Sequence, residues 1–68
     1  MGDEFIKISE ALEKFAAFDP PKAELVRLRY FFGLSLEEVA EMMNISPSTA
    51  SRWWAYARSW LHEEVSNQ

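Results

Sequence analysis

The chain has 68 residues, 49% of them hydrophobic and 15% aromatic, with no cysteine, one histidine and a net charge of −4. That length allows one small domain (1–68), which buries only about 60% of its unfolded surface and needs a dense core; five Phe, three Trp and two Tyr supply the density. The composition excludes a disulfide framework, a thiolate metal site and an all-histidine zinc site, so no cofactor is expected; no apolar run approaches the roughly 20 residues of a membrane span, so a cytoplasmic location without a membrane partner is expected.

In chain order, Asp3 is a candidate N-cap for a first helix over 4–18. Phe5, Ile8, Leu12 and Phe15 recur at helical spacing and form its apolar face. Glu10 and Lys14 form an i, i+4 pair on the other side, worth a few tenths of a kcal/mol. Asp19-Pro20-Pro21 is a break and a restart, because proline disfavours helical geometry in the residue before it. Asp19 is expected to cap a second helix over 20–32, with Pro20 in its first turn. Leu25, Val26, Leu28, Tyr30, Phe31 and Phe32 make that helix apolar nearly all round, which places it in the centre of the domain. Gly33 is the expected stop.

Leu34 to Leu61 reads as a short helix over 35–43, a tight turn and a long helix over 47–64, the pattern of a helix-turn-helix. Ser35 and Glu38 have the spacing of a capping box. Val39, Ala40, Met42 and Met43 are the expected inward face, and the small Ala40 lets the two helices cross closely. Asn44 suits the left-handed conformation that ends a helix. Ser46 caps the next helix, with Pro47 at its first position, where no N–H is needed. The fold class is therefore all-α, a small four-helix domain containing a helix-turn-helix.

The last helix sorts into three faces at about 100° per residue. Ala50, Trp54, Ala57 and Leu61 share an inward stripe. Ser48, Ser51, Arg52, Ala55, Ser59 and His62 form a small, polar opposite face, the kind a helix needs to approach base edges in a major groove. Thr49, Trp53, Tyr56 and Trp60 form a flank. It is either a second packing surface against the first two helices or a partner surface centred on Trp53 and Trp60. Charge opposes a nucleic-acid role: residues 33–68 hold two basic and five acidic residues, whereas DNA-binding domains usually carry a basic stripe.

Asp19-Pro20, A-E-L-V-R-L-R-Y-F (Ala23 to Phe31), G-L-S-L-E-E-V-A-E (Gly33 to Glu41), I-S-P-S-T (Ile45 to Thr49), Trp54 and Y-A-R-S-W-L (Tyr56 to Leu61) together resemble region four of bacterial sigma factors, most closely the extracytoplasmic-function type. The likeness spans about Ala11 to Leu61. The helix-turn-helix alone is a weakly specific motif, while its combination with the flanking segments is much more so. The resemblance implies binding of promoter DNA at the upstream (−35) element through the last helix. It also implies docking on the β-subunit flap of RNA polymerase, and an anti-sigma factor is a further candidate partner. On this chain the DNA-binding positions are Ser48, Thr49, Ser51, Arg52, Ala55 and Tyr56. Arg27, Arg29 and Arg58 are candidate phosphate contacts, though Arg27 and Arg29 can equally meet internal carboxylates and Arg58 can pair with Glu63 or Glu64.

The chain departs from the family pattern at Asn44, usually Gly; at Ala50, usually β-branched; at Ser51, usually basic; and at Trp53, usually charged. Basic residues are also common where His62 and Glu63 stand. Losing a cation at Ser51 removes a phosphate or base contact, so the domain alone is expected to bind DNA weakly, with a shallow salt dependence. A tight, salt-sensitive complex with promoter duplex would contradict this. The region of a sigma factor that grips core polymerase is not in the sequence, so the chain is either an excised domain or a small free-standing relative, and Met1-Gly2 leading straight into helix favours the excised domain. The alternative function is a protein-interaction module with little DNA affinity that binds the flap, an anti-sigma factor or itself. A response-regulator-type DNA-binding domain fits the Asp19-Pro20-Pro21 entry and the Y-A-R-S-W-L ending less well. An enzyme is not expected, since no nucleophile–base pair, glycine-rich phosphate loop or metal set is present.

Overall fold

Four signals of helix start and stop divide the chain where local chemistry dictates. The computed structural model describes residues 2–67 and contains four helices: α1 (Gly2–Phe18), α2 (Pro20–Tyr30), α3 (Leu36–Met43) and α4 (Pro47–Ser66). The α3 start is the expected capping box. Ser35 Oγ accepts from the Glu38 N–H at 3.1 Å, and the Ser35 N–H donates to Glu38 Oε1 at 2.8 Å. Two orphan donors are thereby satisfied, and loss of such a cap costs about 1 kcal/mol. Asn44 ends α3 in the left-handed conformation, φ 58°, and the Ile45 N–H then reaches back to the Ala40 carbonyl at 3.0 Å. Ser46 caps α4 by accepting from the Thr49 N–H at 3.1 Å, with Pro47 next in line.

Terminal details differ from expectation, and α4 runs on to Ser66 rather than ending at residue 64. Asp3 lies within α1 rather than ahead of it. Asp19 takes the N-cap position of α2 but makes no side-chain cap bond. The two prolines that follow remove the amides at the first two helical positions, and the carboxylate instead accepts from Lys22 Nζ at 3.0 Å. The α2 helix ends at Tyr30, two residues earlier than the apolar run suggests; Phe31 and Phe32 turn away, and Gly33 reverses the chain at φ 69°. That left-handed geometry favours glycine.

The core is one continuous body with α2 and Trp54 at its centre. On one side Leu12 and Phe15 of α1, Ala23 and Val26 of α2 and Ala57 of α4 are buried together. On the other side Leu25 of α2, Val39 and Ala40 of α3 and Ala50 of α4 are buried, and Trp54 packs against both groups. Alanines at 23, 40, 50 and 57 bring the backbones close. This is the central position expected of α2, but only its first half is covered. Tyr30, Phe31 and Phe32 are exposed, as is Phe5, whose ring meets Phe31 edge-on at 5.9 Å. Met42 is 66% exposed, contrary to its expected place in the core. It stands about 100° round the helix from Met43, outside the Val39–Ala40–Met43 face that α4 covers.

The expected Glu10–Lys14 pair is replaced by a longer-range one. Lys14 Nζ lies 2.6 Å from Glu64 Oε2, joining α1 to the last turns of α4. The hydrogen bond to Glu64 and then its charge raise the Lys14 pKa above 10.5, with a smaller contribution from Glu10.

Candidate nucleic-acid interface

The N-terminal turns of α4 carry the predicted reading residues, and the Ser46 cap fixes their phase. Ser48, Ser51, Arg52 and Ala55 are exposed, as are Ser59 and His62 further along. Ala50 and Ala57 are fully buried on the opposite side, so the three-face division of the wheel holds. Thr49 is half-buried and tied into a small hydroxyl network. Ser46 Oγ donates to Thr49 Oγ1 at 2.9 Å and sits 3.3 Å from Ser48 Oγ. Arg52 Nη2 donates to the same Thr49 Oγ1 at 3.3 Å. Arg52 is otherwise exposed.

The polar face is not uniform along its length. Ala55, Ser59 and His62 line one wall of an apolar groove of about 700 Å³, closed on the other side by Ile8, Val26 and Tyr30. Arg58 lies on the same groove, its guanidinium 5.9 Å from the Trp54 ring centre. Glu64, one of its two suggested partners, is engaged by Lys14 instead. Ser48, Ser51 and Arg52 do not line this groove and form the open end of α4.

The flank packs inward to different degrees. Trp60 stacks on Phe15 at 4.9 Å and on Phe18 at 5.4 Å, and Trp53 packs against the cluster of Leu25, Val39, Ala40 and Ala50. Tyr56 stays half-exposed on the border with the polar face, tilted against Phe15 at 6.2 Å. Lys22 of α2 adds a cation that the sequence did not single out: its ammonium lies 5.1 Å from the Trp53 ring centre and 5.2 Å from that of Tyr56. The i, i+3 pairing of Lys22 with Asp19 was readable in the sequence. Its position over rings more than 30 residues away was not.

The two α2 arginines have different surroundings. Arg27 is exposed and pairs loosely with Glu24 at 3.5 Å. Arg29 points inward: Nη1 donates to the Leu34 carbonyl at 3.0 Å, and the guanidinium lies 5.0 Å from the Trp54 ring centre. Across the α3–α4 turn, Glu37, Glu38 and Glu41 share a shallow concavity with Ile45 and Pro47. Three carboxylates thus stand at the approach to the first residue of α4, where they oppose a phosphate backbone.

A bundle of four helices, in which a capped short helix leads into a long one with a small polar outer face, is an all-α domain of the kind sigma factors carry. Residues 1–67 match the ECF sigma factor family, and the chain belongs to it. No curated protein and no solved structure gives a match. Membership gives the chain a sigma-factor role in transcription initiation, with RNA polymerase and promoter DNA as the family's partners, in a family of transcription factors rather than enzymes. Among the described residues no helix is long and apolar enough to cross a membrane.

Proposed function

We propose that the chain acts as the region-four domain of its family and reads the upstream (−35) promoter element with the Ser48–Arg52 end of α4. The observation that carries this reading is the exposure of Ser48, Ser51 and Arg52 on one side of a helix whose other side is buried. Short side chains allow close approach, and a planar guanidinium offers paired donors to base edges. Family membership supports the choice of DNA as the ligand.

Replacing Arg52 by alanine is expected to lower affinity for the preferred duplex by about 1–3 kcal/mol and to relax specificity at one base pair. Duplexes enriched from a random pool at low salt, titrated by fluorescence anisotropy, provide the measurement. Unchanged affinity and unchanged base preference would remove Arg52 from the reading role.

A second partner surface is supported by the apolar groove between α4 and the first two helices. Ile8, Val26, Tyr30, Trp54, Leu61 and Val65 offer it a largely apolar lining, and Phe5 of α1 and Phe31 and Phe32, just beyond the end of α2, are also exposed. Such a surface exceeds what scattered apolar exposure explains and suits a protein partner. We assign it to the polymerase flap, with an anti-sigma factor as a competitor for the same residues. Docking there supplies the affinity that two arginines on α4 do not.

A further inference from the structure

We propose that Thr49 is a positioning residue: it holds the Arg52 guanidinium in its reading orientation and does not itself read DNA. This rests on the promoter-reading role of Arg52 and adds what makes that residue effective. Thr49 Oγ1 accepts twice, from Ser46 Oγ at 2.9 Å and from Arg52 Nη2 at 3.3 Å. With the Ser46 proton directed to Thr49, the contact between Ser46 and Ser48 at 3.3 Å runs from the Ser48 hydroxyl to Ser46 Oγ. Ser46 Oγ also accepts the Thr49 N–H at 3.1 Å. The helix cap therefore fixes Thr49 through both its backbone and its side chain, and Thr49 fixes Arg52 one turn further on.

The residue types fit this task. Threonine is β-branched, and its χ1 is restricted on a helix, so Oγ1 is a stable anchor. A free arginine has large rotamer freedom, which it loses on binding. Only one of the five guanidinium N–H donors is used by Thr49, so a bidentate edge remains for a base. Thr49 is also half-buried, and both acceptor sites of Oγ1 are occupied, which leaves only its hydroxyl proton free.

The test uses the whole chain and compares Thr49→Val, Thr49→Ser and Arg52→Ala with the Thr49→Val/Arg52→Ala double variant. Valine keeps the branching and the Thr49 N–H but removes Oγ1. Thr49→Val is expected to weaken the preferred duplex by about 2- to 10-fold, the cost of ordering one rotamer-rich side chain. The loss should fall on the base pair that Arg52→Ala affects, with the salt slope unchanged. Thr49→Ser should restore wild-type behaviour, and Thr49→Val should add nothing in the Arg52→Ala background. Additive losses would show that Thr49 contacts DNA independently and would overturn the proposal. Wild-type binding by Thr49→Val beside a weakened Arg52→Ala overturns this proposal alone. Insensitivity of both variants overturns the promoter-reading role as well. NMR of the guanidinium groups in the unbound chain gives a readout that needs no DNA: Arg52 should rotate more slowly in the wild type than in Thr49→Val. Equal rates in the two proteins would overturn the proposal however weak the DNA binding is.

Discussion

Alanine in place of Phe15 is expected to cost about 3–5 kcal/mol and to leave little folded protein. The side chain is completely buried, and three rings surround it: Trp60 at 4.9 Å, Phe18 at 5.5 Å and Tyr56 at 6.2 Å. Leu12, Ala23, Val26 and Ala57 are buried in the same cluster. A domain of this length has a total stability of only about 3–10 kcal/mol, so the loss is comparable to the whole. Thermal unfolding followed by circular dichroism should show a fall in Tm on the order of 20 °C. Phe32→Ala serves as the control, since that ring is 68% exposed and removing it should shift stability by no more than about 0.5 kcal/mol. Similar melting curves for the two variants would mean that the aromatic cluster does not hold α1 against α4.

The contrast between those two phenylalanines shows what the sequence makes legible. Both lie in apolar runs at helical spacing. The features read correctly in advance are those settled within four residues: the Ser35–Glu38 box, left-handed Asn44, the Ser46 cap and Pro47. Each depends on one residue's own backbone preference or on a bond between near neighbours, so the local sequence contains all that decides it. The wheel of α4 also held, because a long helix packed on one side averages out small errors of phase. Met42, Phe5, Tyr30 and Phe31 were misplaced because their burial depends on which other helix reaches them. Lys14 is the electrostatic version of the same problem. Its local partner Glu10 was visible, but a carboxylate 50 residues away is closer in space.

The candidate site divides along the same line. Exposure of Ser48, Ser51 and Arg52 follows from helical phase and was readable. The Thr49–Arg52 bond lies one turn apart and was within reach of that reasoning, yet residue type alone does not say whether a threonine faces DNA or a neighbour. The groove on which Ala55, Ser59 and His62 open was not readable, since Ile8 and Tyr30 form its far wall. The acidic concavity at Glu37, Glu38 and Glu41 gives a structural place to the charge problem that composition raised. With those carboxylates beside the reading end and Ser51 uncharged, few phosphates can be neutralised. The salt slope falls with the number of phosphates contacted, so under the proposed promoter-reading role specificity would rest on base contacts and on docking to the polymerase.

Arg29→Ala is expected to destabilise the fold by roughly 2–4 kcal/mol, whereas Arg27→Ala should change stability by no more than about 0.5 kcal/mol. Sequence likeness treats the two as equivalent basic positions. The structure separates them. Arg27 is exposed, and its pairing with Glu24 at 3.5 Å is of the surface kind that contributes little. Arg29 closes the α2–α3 turn: the Leu34 N–H donates to the Leu28 carbonyl at 3.2 Å, and the Leu34 carbonyl accepts from Arg29 at 3.0 Å. The same guanidinium lies against Trp54, whose indole packs on both halves of the core. Truncation removes a charge-assisted hydrogen bond worth about 1.5–3 kcal/mol and a cation–π contact of about 0.5–2 kcal/mol. It also leaves the Leu34 carbonyl without that donor. Because Leu34 leads into the Ser35 cap, loosening this turn frees α3 before the rest of the bundle. Hydrogen exchange should therefore report faster exchange in α3 of Arg29→Ala than in α1, while Arg27→Ala exchanges like the wild type. If Arg29→Ala instead melts like the wild type and loses DNA binding with a reduced salt slope, its guanidinium belongs to the phosphate interface rather than to the turn.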